Sequence, residues 1–353
     1  MFIGSLRALA YRCLSPCLFP YWHLCSLWQR NQLKCYVRRV LPMSKAPSQI
    51  PTNQIPNRIA GWVQPLTFLV LCIYIAALVL TGILTDDWIS HPIYAVGVML
   101  PGILVLVWSR SYQLETSSLQ ILNEEVKVSL IWYVMILIIY SVILGNNDLR
   151  LLINEQTNWL TLVIVPLILI QSARGKKGGT FRELLRSVGL TRQGLGKTIT
   201  LSAVTCLLLL PIIFYSLSEE QLSKVITVFQ KPSQAVLFYP LSLVIAFVLP
   251  GFTEEVMFRG ILQSRLSSFT RSEVKGLFLA SLLFALYHVP YAYFLTSWAT
   301  HGNLTWSLST VLTEQFITGL LMGLIWIRTK NLVGPMIVHA FIDSFIILAS
   351  FVK

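Results

Sequence analysis

The chain has 353 residues, of which 55% are hydrophobic and 12% charged, with mean hydropathy +0.69 and a formal net charge of +12. A soluble domain carries about a quarter charged residues, so this composition excludes an ordinary water-soluble fold. The basic excess suits nucleic acid only if its placement is ignored, because the Lys and Arg lie between long apolar runs.

Residues 1–42 hold Cys13, Cys17, Cys25 and Cys35, six Lys or Arg and no acid. The segment lacks the apolar core and small-residue cleavage site of a secretory signal. Its cysteine spacing matches no zinc module. Residues 43–58, rich in Pro and Asn, read as a disordered leader. Two readings are open: a basic targeting or membrane-surface segment, or a translation start at Met43 rather than Met1.

Apolar runs follow near 66–85, 92–108, 126–145, 157–173, 198–216, 235–251, 276–292, 308–327 and 333–351. Each approaches the roughly 20 residues a bilayer requires. The expected fold is all-α, a polytopic transmembrane bundle of about eight to nine spans. Its predicted divisions are the leader 1–58, a first transmembrane region 59–197 and a second 198–353. With a cytoplasmic N-terminus, the inside segments carry 23 of the 27 Lys and Arg. That asymmetry is the positive-inside pattern. Spans one to four read as nearly free of intramembrane charge. The basic loop 174–197 has a helical apolar stripe at Phe181, Leu184, Leu185 and Val188, but reads as a solvated loop obeying the inside rule.

Pro250-Gly251 reads as the end of the sixth span, with Thr253 as N-cap of a new helix that starts at Glu254 and Glu255. Glu255 and Arg259 are spaced for an i,i+4 ion pair, while Glu254 points to another face without a local partner. His288 lies one turn beyond Phe284 in the seventh span, and His339 one turn before Asp343 in the last. Each alone fits a polar packing contact. Together they supply the parts of a water-activating site: a carboxylate base, a neutral imidazole and a polar pair facing a developing oxyanion. Charge at bilayer depth is costly, which favours one shared pocket.

These three motifs, Glu-Glu-x-x-x-Arg, Phe-x-x-x-His and His-x-x-x-Asp in that order over 235–351, resemble the CPBP family, the type II CAAX prenyl protease and Abi group of intramembrane peptidases. The resemblance implies hydrolysis of a peptide bond in a membrane-associated protein substrate at the bilayer. It implies that Glu254 and His288 activate water, that His339 and Asp343 form the oxyanion site, and that Glu255, Arg259 and Phe284 support them. Asp343 departs from the family's commoner Asn, since an ionised Asp repels an oxyanion. It must be protonated, act through His339, or do something else. No cofactor is certain. Glu254, His288, His339 and Asp343 are also suitable zinc ligands, so a divalent metal is a second reading of the same residues. Nucleic acid is not an expected partner. A non-catalytic scaffold or immunity protein of the same fold, or a proton-coupled transporter, are the rival functions. The charge rule places the site near the cytoplasmic side.

Overall fold

A computed structural model describes residues 65–109, 121, 123–153, 155–175 and 179–352. The leader expected over 1–58, its cysteines and Met43 lie outside the described residues. The described residues contain nine helices long and apolar enough to cross a membrane. We label the helices α1 (Pro65–Thr85), α2 (Ser90–Trp108), α3 (Asn123–Gly145), α4 (Gln156–Arg174), α5 (Phe181–Ser187), α6 (Leu195–Ser216), α7 (Glu219–Phe229), α8 (Pro232–Phe269), α9 (Glu273–Phe294), α10 (Leu304–Thr329) and α11 (Val333–Ser350). All but the short α5 and α7 match the nine spans read from the apolar runs.

Burial separates the helices. Phe68, Ile75, Ile83, Ile131 and Ile138 on α1 and α3 are exposed, as lipid-facing residues are. By contrast, 83% of the most apolar window of α10 is buried. Helix α10 packs against α1, α2, α9 and α11 and forms the axis of the bundle. Two apolar clusters surround it. One joins α1, α2, α6, α9, α10 and α11, with Leu201, Phe316 and Leu321 at its centre. The other joins α3, α4, α5 and α8 to the far side of α9, through Tyr140, Leu162, Phe258 and Phe284.

The sixth span does not end at Pro250-Gly251, which corrects the expected helix break. The chain stays helical from Pro232 to Phe269, with wide π turns over Phe247–Gly251 and Val256–Gln263. A proline removes one helical donor and crowds the carbonyl four residues back, and a π turn relieves both. Thr253 is not an N-cap, because its hydroxyl donates to the Leu249 carbonyl at 2.7 Å. Gly251 is needed for space. A Cβ there would lie 2.9 Å from the Ala246 carbonyl oxygen and 3.1 Å from that of Met336. Helices α8 and α11 therefore touch backbone to backbone, just before the turns that carry Glu254 and His339.

The basic loop is not simply solvated. Leu184 and Val188 are fully buried, and Leu332 N–H donates to the Gly189 carbonyl at 3.0 Å. Nor are the first four spans nearly free of charge. Glu125 on α3 is completely buried, and its carboxylate meets Arg174 Nε of α4 and Arg265 Nη2 of α8, each at 3.1 Å. Three positive charges counted towards the inside face, Arg174, Arg259 and Arg265, are thus buried and ion-paired.

Candidate active site

The three motifs converge. Glu254 and Glu255 sit in the short α-helical stretch between the two π turns of α8. Glu255 and Arg259 form the predicted ion pair at 2.8 Å, both side chains essentially without exposure. Arg259 also donates to the Gly319 carbonyl of α10 at 3.2 Å, and its guanidinium carbon lies 4.4 Å above the Phe284 ring centre. The charge is therefore distributed over a carboxylate, a carbonyl and a π face, which together offset the cost of burying it.

His288 lies where α9 changes course. Pro290 has no N–H to give to the carbonyl of Leu286, and His288 N–H bonds three residues back, to Ala285. Its ring Nδ1 lies 2.9 Å from the Phe284 carbonyl. A carbonyl can only accept, so Nδ1 carries the proton and a neutral His288 presents a lone pair at Nε2. That Nε2 is 4.0 Å from Glu254 Oε2. Phe284 thus supports the site twice, by its ring beneath Arg259 and by its carbonyl, which sets the tautomer of His288.

His339 occupies the centre. Its Nδ1 is 2.7 Å from Glu255 Oε1, and its Nε2 is 3.8 Å from Glu254 Oε2 and 3.4 Å from Asp343 Oδ2. Glu255 Oε1 accepts from both Arg259 and His339, so Glu255 ties α8 to α11 directly. Glu254 Oε2 is buried and has no hydrogen-bond partner among the described residues, although two imidazole nitrogens face it. A buried acceptor left unpaired is costly, and such atoms in native folds call for a functional explanation.

Every residue anticipated from the motifs is therefore in one cluster. Motif reading did not find the aromatic side of the site. Tyr287 packs edge-on to His288 at 5.2 Å, Tyr291 is 5.6 Å from Tyr287, and Tyr140 of α3 contacts both tyrosines at 5.7 Å. Tyr287 lies one residue before His288 and Tyr291 three after it, and both resemble any membrane aromatic in sequence. The partly exposed pair His91 and Glu314, 3.5 Å apart, was also missed, because His91 falls just before one predicted span and Glu314 inside another, with no local spacing to join them. It places charge away from the main cluster, so charge is less one-sided than the sequence implied.

The metal reading can be tested against the donor positions. A tetrahedral zinc with bonds of about 2.0 Å has ligand–ligand edges of about 3.3 Å. The edges from Glu254 Oε2 to the two imidazoles are 3.8 and 4.0 Å. Among the described residues no three His, Cys, Asp or Glu side chains are grouped as a metal site. The two Glu254 edges are wider than the tetrahedral edge and the 3.4 Å edge from His339 to Asp343 is close to it, and every step below is carried by the chain's own residues.

Nine membrane-length helices enclosing a carboxylate–imidazole cluster define a multi-pass integral membrane protein with an enzyme-like site inside the bundle. Residues 236–345, which contain all three motifs, match the family of type II CAAX prenyl endopeptidase Rce1-like proteins, and this agrees with the resemblance read from the motifs. No curated protein and no solved structure gives a match.

Proposed function

We propose that the protein is an intramembrane endopeptidase that uses Glu254 as general base. The observation that carries the proposal is the unpaired, buried Glu254 Oε2 facing the Nε2 atoms of His288 and His339. A water at hydrogen-bond distance from both Glu254 Oε2 and His288 Nε2 would be held at an angle of about 90°. It gives one proton towards Glu254 and directs the other to the His288 lone pair. Its oxygen adds to the scissile carbonyl carbon as Glu254 takes the first proton, leaving a tetrahedral oxyanion. Glu254 then returns that proton to the departing amide nitrogen. The C–N bond breaks, and the products are a carboxylic acid and an amine.

His339 faces the oxyanion from Nε2. Because Nδ1 already gives its proton to Glu255, Nε2 donates only when both ring nitrogens are protonated. The surrounding carboxylates of Glu254, Glu255 and Asp343 against the single guanidinium of Arg259 suit such a cation. Asp343 acts through His339, holding the Nε2–H until a substrate carbonyl replaces it. The substrate is a membrane-associated protein or peptide whose scissile bond reaches a pocket among the spans. The N-terminus lies in the cytoplasm and the site opens to that side. The positive-inside bias supports this even without the buried Arg174, Arg259 and Arg265.

The test is proteolysis of a membrane-tethered peptide by purified protein, with His288→Ala and His339→Ala in parallel. Full activity in either variant removes that residue from the mechanism. Metal analysis with a chelator arm tests the zinc reading separately.

A further inference from the structure

We infer that the segment 179–193 is a docking strap for anionic phospholipid headgroups, and that the strap braces both helices that carry the site. The segment lies at one end of the bundle, between the end of α4 at Arg174 and the start of α6 at Leu195. Thr180 and Glu183 close a capping box at the start of α5, so the acid of this helix is used within it. Leu184 and Val188, four residues apart, form the buried face. Arg182 and Arg186, also four apart, form the exposed face, with Arg192 exposed just beyond. Phe181, beside them, is 50% exposed, and Phe269 at the end of α8 is 63% exposed at the same end of the bundle. Among the described residues no ion pair involves these three arginines. Exposed arginines alternating with aromatic rings at a span end suit the headgroup layer.

The buried side of the strap is bonded to the catalytic helices. Asn331, at the start of α11, donates from Nδ2 to the Thr191 and Gln193 carbonyls at 2.9 and 3.1 Å. Arg265 of α8 donates to Ser187 Oγ at 3.1 Å. A Cβ at Gly260 would lie 2.8 Å from the Val188 carbonyl oxygen, so α8 and the strap meet at backbone distance. Along α8, Glu254 lies six residues from Gly260 and eleven from Arg265, and along α11 His339 lies eight from Asn331. A headgroup that orders the strap therefore orders the frame of the site.

The test uses the detergent-purified full chain, titrated with phosphatidylglycerol, with phosphatidylcholine and free glycerol phosphate as controls. Thermal unfolding and amide exchange over 179–193 are followed, and neither readout needs peptidase activity. Phosphatidylglycerol should raise the unfolding midpoint and slow exchange in the strap, and the two controls should not. Each basic side chain at an anionic surface strengthens binding about fivefold, so an Arg182→Gln, Arg186→Gln, Arg192→Gln triple should weaken the response about a hundredfold. Single charge-keeping Arg→Lys variants should retain it. A triple variant with an undiminished response would overturn the inference. So would a chain indifferent to phosphatidylglycerol, or one that responds equally to glycerol phosphate.

Discussion

Glu255 and His339, 84 residues apart in sequence, meet at 2.7 Å through one carboxylate oxygen that Arg259 also holds at 2.8 Å. That single atom couples the glutamate motif of α8 to the histidine motif of α11. Removing one partner of a buried pair strands the other charge, at a cost of about 3–5 kcal/mol. Glu255→Ala should therefore lower the unfolding midpoint sharply in detergent. A Glu255→Leu, Arg259→Met double variant should lose less than Glu255→Ala alone. Equal losses would show that the pair contributes no coupling.

Asp343 tests what the third motif does. Its carboxylate lies 3.4 Å from His339 Nε2, beside the place assigned to the oxyanion. Asp343→Asn keeps the shape, removes a negative charge and adds an N–H donor. Because the carboxylate helps to hold His339 as a cation, cleavage should fall by more than about tenfold despite the added donor. Cleavage retained or raised would contradict that role and would mean that the oxyanion needs only a donor there.

Glycines separate close approach from open space. A Cβ at Gly276 of α9 would lie 2.6 Å from Ser267 N and 2.7 Å from Ser267 Cα, backbone that cannot step aside. Gly276→Ala should destabilise the bundle by about 1–3 kcal/mol. Gly196, in the first turn of α6, has nothing within 4 Å of an added Cβ. Gly196→Ala should be neutral or stabilise by up to about 1 kcal/mol. The unfolding midpoint should fall in Gly276→Ala and hold or rise in Gly196→Ala, and equal losses would contradict the packing.

Between α1 and α2, Asp87 accepts N–H from Ser90 at 2.9 Å and from Ile89 at 3.0 Å. These bonds, Ser90 first, hold its carboxyl down at about 2. A folded value below the unfolded one, about 3.9, means that the stabilisation is complete above about pH 4 and is lost as pH falls through 2. The midpoint difference between the wild type and Asp87→Ala should be present at about pH 6 and vanish towards pH 2. A difference independent of pH would exclude the carboxylate as its source.

The spans were legible because a run of some twenty apolar residues has few alternatives in a bilayer. The ion pair of Glu255 with Arg259 was legible because four-residue spacing is local geometry. What failed was non-local. Pro250-Gly251 signals a helix stop, but the π turn absorbs the proline, and the glycine answers to the Met336 carbonyl of a helix 85 residues on. Glu125 and Arg265 fall outside the predicted apolar runs, and nothing local shows that two distant helices bring them within 3.1 Å. Leu184 and Val188 showed the right stripe, and only their burial separates a docked strap from a solvated loop.

The central claim is that the unpaired carboxylate of Glu254 activates water. Glu254→Gln keeps the shape of a side chain whose Oε2 makes no hydrogen bond among the described residues, so its unfolding midpoint should stay close to that of the wild type. Cleavage of a membrane-tethered peptide by the same preparation should fall by about 10²–10⁴-fold, the usual contribution of a general base. Cleavage within about twofold of wild type would contradict the account, because glutamine cannot take the proton.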